Sequence, residues 1–178
     1  MTLPLKDSGS ERARRFAIAL PQPLARAAES VIALLARFSV AAVFWTSGQS
    51  KIEGFALDIV EGVFLPGWPT LSATAVDLFR EEYRLPWMSP EFAATTAAWG
   101  EHVLPAMLLL GLGTRVAALG MLVMTAVIQV FVYSDAYATH GIWAALLAWL
   151  VLRGPGTTSL DHGLDRWLTR SSGATGPG

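Results

Sequence analysis

The chain has no cysteine, which excludes disulfides, thiolate metal sites and thiol-based catalysis within it. It is also poor in charge. Asp, Glu, Lys and Arg make up 15% of its 178 residues, against roughly 25% in soluble domains. Neither sign dominates: 13 Lys and Arg stand against 14 Asp and Glu, a balance that gives no electrostatic footprint for nucleic acid. Soluble-type catalytic signatures are missing as well, with no glycine-rich phosphate loop after a strand, no HExxH and no GxSxG. What is present is apolar. Hydrophobic residues make up 53% of the chain, and a positive mean hydropathy at a length that fits one domain argues for a membrane class.

Residues 1–27 are polar and basic, with Lys6, Arg12, Arg14, Arg15 and Arg26. A signal peptide needs an apolar stretch here, whereas Pro21 and Pro23 interrupt the region. It reads as a cytoplasmic tail with a surface helix around residues 11–20. Four apolar spans follow, at about 28–47, 92–112, 116–133 and 137–152. A bilayer core needs about 20 apolar residues, with a lower limit near 17; the first three spans meet this, and the fourth does so only with its ends counted generously. A soluble helical bundle would need a wide polar stripe on each helix, and residues 104–112 and 144–152 have none. The expected fold is therefore all-α and membrane-embedded, a four-transmembrane-helix bundle with an outer amphipathic segment. Its parts are the tail 1–27, a four-span domain 28–153 with an outer loop 48–91, and a second cytoplasmic tail 154–178.

Orientation follows from the basic residues. Arg115, Arg153, Arg166 and Arg170 fall on the same side as the basic N-terminal tail, while the 48–91 loop sets Lys51, Arg80 and Arg84 among an excess of acidic groups. The positive-inside rule then puts both termini in the cytoplasm. Structureless loops as long as 48–91 are uncommon. Residues 71–83 place Leu71, Ala75, Leu78, Phe79 and Glu82 near one face, which predicts a short amphipathic helix on the outer surface. Phe64, Trp68, Trp87 and Met88 flank it, as groups that settle at headgroup level do.

Ionisable groups at membrane depth are costly and normally face the bundle interior or a wet cavity. Arg37 lies about 12 Å into the first span and Glu101 about 14 Å into the second, counted at 1.5 Å per residue, so the two are expected to pair. Glu101, His102, Gln129 and His140 form a polar cluster in the outer half, with Ser47, Gln49, Lys51 and Glu53 at the exit of the first span. Such a set can surround a quinone, whose carbonyls need donors and whose reduction needs protons. It can also hold a metal through His102, His140 and a carboxylate, although two His on different spans are no recognised metal spacing, or simply fix helix packing. Gly111, Gly113 and Gly120 read as turn and close-packing positions.

Phe44, Ser47, Gly48 and Lys51, leaving the first span, resemble the F-x-x-S-G-x-x-K signature of the DoxX family. Trp99-Gly100-Glu101-His102-Val103-Leu104-Pro105 and the turn through Gly113-Thr114-Arg115 resemble its acidic second span and the turn after it. Arg153-Gly154-Pro155-Gly156, followed by Ser159-Leu160-Asp161, is similar to its C-terminal end. Residues 77–86 look closer to DoxX members encoded beside copper-responsive, ribosomally made metal-binding peptides. The resemblance implies a four-helix inner-membrane protein of a family tied in some members to thiosulfate:quinone oxidoreduction and in others to complexes handling oxidative stress. Ser47, Gly48, Lys51, Glu101 and Pro105 occupy its motif positions, and the match alone assigns none of them a catalytic role. The stretch between Glu53 and Thr70 departs from the shorter family loop. The function expected is an inner-membrane subunit of a redox complex, lipid-embedded with a protein partner and in contact with quinone. The alternatives are a non-catalytic accessory in metal or metal-binding peptide handling, or a scaffold docking a soluble partner through its basic tails.

Overall fold

A computed structural model of the chain describes residues 21–58 and 62–173. The surface helix expected at 11–20 and the basic residues Lys6, Arg12, Arg14 and Arg15 lie outside the described residues. Four long helices make the body: α1 (Gln22–Gln49), α3 (Pro90–Leu110), α4 (Thr114–Phe131) and α5 (Tyr137–Arg153). They close a ring in which α1 packs on α3, α3 on α4, α4 on α5 and α5 back on α1. Between α1 and α3 lie β1 (Ile52–Glu53), β2 (Ala56–Asp58), β3 (Val63–Leu65), β4 (Thr70–Leu71) and a short helix α2 (Ala73–Leu78), which widens into a π-turn over Phe79–Tyr83. A last helix, α6 (Leu160–Gly173), follows α5.

Local sequence explains the ends of these helices. Pro21 and Pro23 do not interrupt α1; they start it, because a first-turn proline loses no helical hydrogen bond. The helix thus begins six residues before the expected span. Ser89 caps α3 by accepting from the Phe92 N–H, with Pro90 at the first helical position. Gly111 ends α3 in the left-handed conformation at φ 67°, where a residue with Cβ would be strained.

The packing is inverted relative to a soluble bundle. Small residues fill the centre, Ala33, Ala36 and Ala41 of α1 and Ala117 and Ala118 of α4 in one cluster with Val40, Phe44, Leu108, Met121, Leu147 and Leu150. Large apolar side chains point outward instead: Leu35, Phe38, Trp99, Val116, Ile142 and Leu152 are each more than half exposed. In water such a surface would be an oversized apolar patch, whereas in lipid it is the ordinary outer face and small residues are what bring helices together. Among the described residues, α1 and α4 are long and apolar enough, by length and composition, to cross a membrane.

The 48–91 segment is more structured than a surface helix alone. β1 pairs antiparallel with β4, Ile52 opposite Leu71, and β2 with β3, Leu57 opposite Phe64. The result is a nested hairpin, pinned to α1 by Trp45 Nε1 donating to the Leu57 carbonyl at 2.9 Å and the Leu57 N–H donating to Gln49 Oε1 at 2.8 Å. The amphipathic face expected over residues 71–83 turns Ala75 and Phe79 inward, Phe79 against Ala93 and Ala94 of α3, while Glu82 stays exposed. We call this the hairpin end of the bundle.

At the opposite end, residues 154–161 fold back over the helix ends instead of leaving as a tail. Thr157 donates from its hydroxyl to Ser30 Oγ at 2.9 Å. The Asp161 N–H donates to the Gly111 carbonyl, and the Asp161 carboxylate accepts from the Gly113 and Thr114 N–H groups at 2.7 and 2.9 Å. Asp161 therefore caps α4 from a distant point in the chain. This is the clasp end.

Candidate functional site

Ser47 lies in the last turn of α1 and Lys51 in the turn just after it, its N–H donating to the Gly48 carbonyl at 3.0 Å, and both side chains meet Glu101 of α3. Lys51 Nζ lies 2.7 Å from Glu101 Oε2, with both side chains buried. It also donates to Ser47 Oγ at 3.0 Å and to the Ser47 carbonyl at 3.2 Å. Ser47 Oγ in turn donates to Glu101 Oε1 at 3.3 Å. Gly48 makes the arrangement feasible: a Cβ there would sit 2.9 Å from the His102 ring and 3.0 Å from Glu101 Cβ. The glycine is a close-approach position, and it brings α1 near enough for Lys51 to reach the carboxylate.

Glu101 does not pair with Arg37. The Arg37 side chain reaches the clasp end, where Nη2 donates to the Thr158 carbonyl at 2.8 Å and Nη1 fills the space that a side chain at Gly111 would need. Gly111 is ten residues along α3 from Glu101, about 15 Å at 1.5 Å per residue. Gly48 is the α1 residue that stands beside Glu101, and Arg37 lies eleven residues before it, about 16 Å at 1.5 Å per residue.

The polar cluster divides further. His102, one residue on from Glu101, faces away from it. Gln49 Nε2 donates to His102 Nε2 at 2.8 Å, since Gln49 Oε1 is already taken by the Leu57 N–H, and His102 Nδ1 then donates to the Ala98 carbonyl at 2.7 Å. With Trp45 edge-on to its ring at 5.0 Å, His102 ties the hairpin to α1 and α3. It lines a small cavity of about 230 Å³ beside Trp99 and Leu71. Gln129 and His140 do come together: the Gln129 amide donates to the Ser134 carbonyl at 2.7 Å, and its oxygen meets His140 Nδ1 at 2.7 Å. Among the described residues no group of three or more His, Asp or Glu converges as metal ligands would. Pro105 is buried within α3, below Glu101.

Glu101, Lys51, Ser47 and His140 all line a second, larger cavity of about 470 Å³. Its walls are apolar, from Leu104 on α3 and Val123, Met124, Val127 and Ile128 on α4, with Phe44 and Trp143 behind. Phe79, Tyr83 and Leu85 reach over it from the 48–91 segment. The Tyr83 and Tyr133 hydroxyls lie 3.3 Å apart, and Tyr133 donates onward to Glu82 at 3.4 Å. Burial, followed by the contact with Tyr133, pushes the Tyr83 phenol well above its ordinary range. At the clasp end, burial alone would raise the Asp161 carboxyl; the Thr114 and Gly113 N–H groups and the Arg37 charge outweigh it and hold the group below the usual range.

The DoxX family model matches residues 32–134, from the first turns of α1 to just past the end of α4. The chain belongs to the DoxX family. It is thus a membrane protein of that family, and the match takes in Ser47, Gly48, Lys51, Glu101 and Pro105. In this DoxX protein α5, which carries His140, and the clasp with Asp161 follow the matched residues. No curated protein and no solved structure matches the chain. Sequence reasoning placed Lys51 near Glu101 without naming it as the partner. Nothing in the sequence marked Tyr83 with Tyr133, or Thr158 with Arg37, as pairs.

Proposed function

We propose that this chain is the membrane subunit of a redox assembly and receives quinone in the 470 Å³ cavity. The observation that carries the reading is that cavity: within the size range of small-molecule sites, mostly apolar, with a few convergent polar groups. The Lys51–Glu101 pair and His140 sit in its wall. Val123 and Thr96, both exposed, border it on α4 and α3, so a ligand with an apolar tail has a side opening toward lipid. All four long helices cross the membrane in this reading, and residues 28–153 form the membrane domain. Arg26, Arg115 and Arg153 fall at the clasp end, which the positive-inside rule places in the cytoplasm of a bacterial cell with both termini. The hairpin end faces outward across the inner membrane, and electrons reach the site through a protein partner. Quinone extracted from the purified protein tests this. Stoichiometric quinone is expected in the parent and at least about tenfold less in Gly100→Leu, because a side chain at Gly100 runs into Met124 within the cavity wall. Quinone-free parent protein, or equal content in the variant, overturns the reading.

A further inference from the structure

Most of the polar donors around the large cavity already have protein acceptors. Lys51 has three ammonium hydrogens and three acceptors within reach, Glu101 Oε2, Ser47 Oγ and the Ser47 carbonyl. The Ser47 hydroxyl hydrogen goes to Glu101 Oε1. Thr96 donates to the Phe92 carbonyl at 2.8 Å. Tyr133 donates to Glu82, which leaves Tyr83 to donate to Tyr133. Every one of these donors is spent.

His140 completes the pattern, because its tautomer is fixed from outside the ring. The Ser134 carbonyl can only accept, so it takes the Gln129 NH₂ and turns the Gln129 oxygen toward His140. That oxygen can only accept as well, so Nδ1 carries the proton. Nε2, on the other edge of the neutral ring, keeps a lone pair and has no partner among the described residues. His140 is 5% exposed and lines the cavity. The indole N–H of Trp143 is a lining donor with no hydrogen-bond partner among the described residues. A hydroxyl oxygen accepts from it as readily as a carbonyl, so it does not discriminate between them.

We infer that the cavity selects a hydroxyl-bearing head group, the reduced quinol over the quinone, with His140 Nε2 accepting the ligand's hydroxyl. This rests on the quinone reading above and gives it a direction. A quinol presents an O–H to the imidazole lone pair. A quinone presents a carbonyl to it, so that two acceptors face each other in a buried site and neither is satisfied.

Anaerobic titration of the detergent-solubilised full chain with decyl-benzoquinone and with its chemically reduced quinol decides the matter. The quinol is expected to bind about tenfold tighter, the equivalent of one buried hydrogen bond. His140→Leu should bring the two forms to parity. Gln129→Leu, which frees the tautomer without touching the ring, should shrink the preference. Equal binding of both forms by the parent, tighter quinone binding, or a preference that survives His140→Leu overturns the inference while leaving the site reading intact. If neither form binds, the site reading fails and the inference falls with it.

Discussion

The bundle buries one cation near each end, Arg37 at the clasp and Lys51 at the hairpin, and treats them in opposite ways. Lys51 touches a carboxylate and has an acceptor for each of its hydrogens. Arg37 is 1% exposed and spends only Nη2, on Thr158; its Nε and Nη1 have no partner among the described residues. The surroundings differ in the same sense. Arg37 Nη1 fills the space a side chain at Gly111 would need, beside Ser159, whereas the lysine stands in the wall of the 470 Å³ cavity. The guanidinium, with its planar fork and weak hydration, fastens chain to chain. The ammonium–carboxylate pair is set where a ligand can approach. A buried charge in a membrane protein is therefore not functional by depth alone; its neighbourhood separates the two cases.

Removing one partner at each end tests that contrast most strongly. Glu101→Gln strands the Lys51 charge and is expected to lower stability by about 3 kcal/mol, in the range for breaking a buried pair, read by thermal unfolding in detergent. Adding Lys51→Met to the Glu101 variant should recover most of the loss. Arg37→Met removes the charge together with its bond and strands no contacting carboxylate, so it should cost no more than about 1.5 kcal/mol. Equal costs at the two ends would dissolve the distinction.

A smaller effect belongs to the clasp. Asp161→Asn weakens the cap on α4 and should cost about 1 kcal/mol at neutral pH. Because the folded protein holds this carboxyl below its ordinary range, its contribution is complete above the unfolded pKa of about 4 and fades as pH falls through the folded value. The parent should therefore lose stability on acidification below about pH 4, and the Asn variant should lose less over the same window. Parallel pH–stability curves would remove Asp161 from the account. The smallest effect is expected at Tyr133→Phe, which deletes an exposed hydroxyl between Tyr83 and Glu82. Its signature is faster hydrogen exchange over residues 73–83, with global stability changed by less than about 0.5 kcal/mol.

The long helices were legible because hydropathy and length are summed over many residues and tolerate local errors. Single-residue geometry was not. The pairing of Arg37 with Glu101 failed on the register of α1 against α3: Gly48 stands beside Glu101, and Arg37 lies eleven residues back, level with Gly111. The nested hairpin was invisible for another reason. Its strands are two or three residues long, too short for alternation to register. They are fixed by Trp45 and Gln49 of α1, contacts that no local pattern carries. The cluster of Glu101, His102, Gln129 and His140 was found as a set, since membrane depth alone selects it. Which cavity Glu101, His140 and His102 line depends on which way each helix is turned, and adjacent Glu101 and His102 diverge for that reason.

The clasp also bears on biogenesis. Chains emerge from the ribosome N-terminus first, so Arg37 enters the bundle while Thr158 and Asp161 are still more than a hundred residues from synthesis. Until they arrive, the guanidinium has no carbonyl to bind and the first N–H groups of α4 have no cap. Residues 154–161, made after all four long helices, are thus what lock the first helix in place. A chain cut short after α5 would hold its helices without that lock and would carry an unsealed arginine within reach of quality-control proteases.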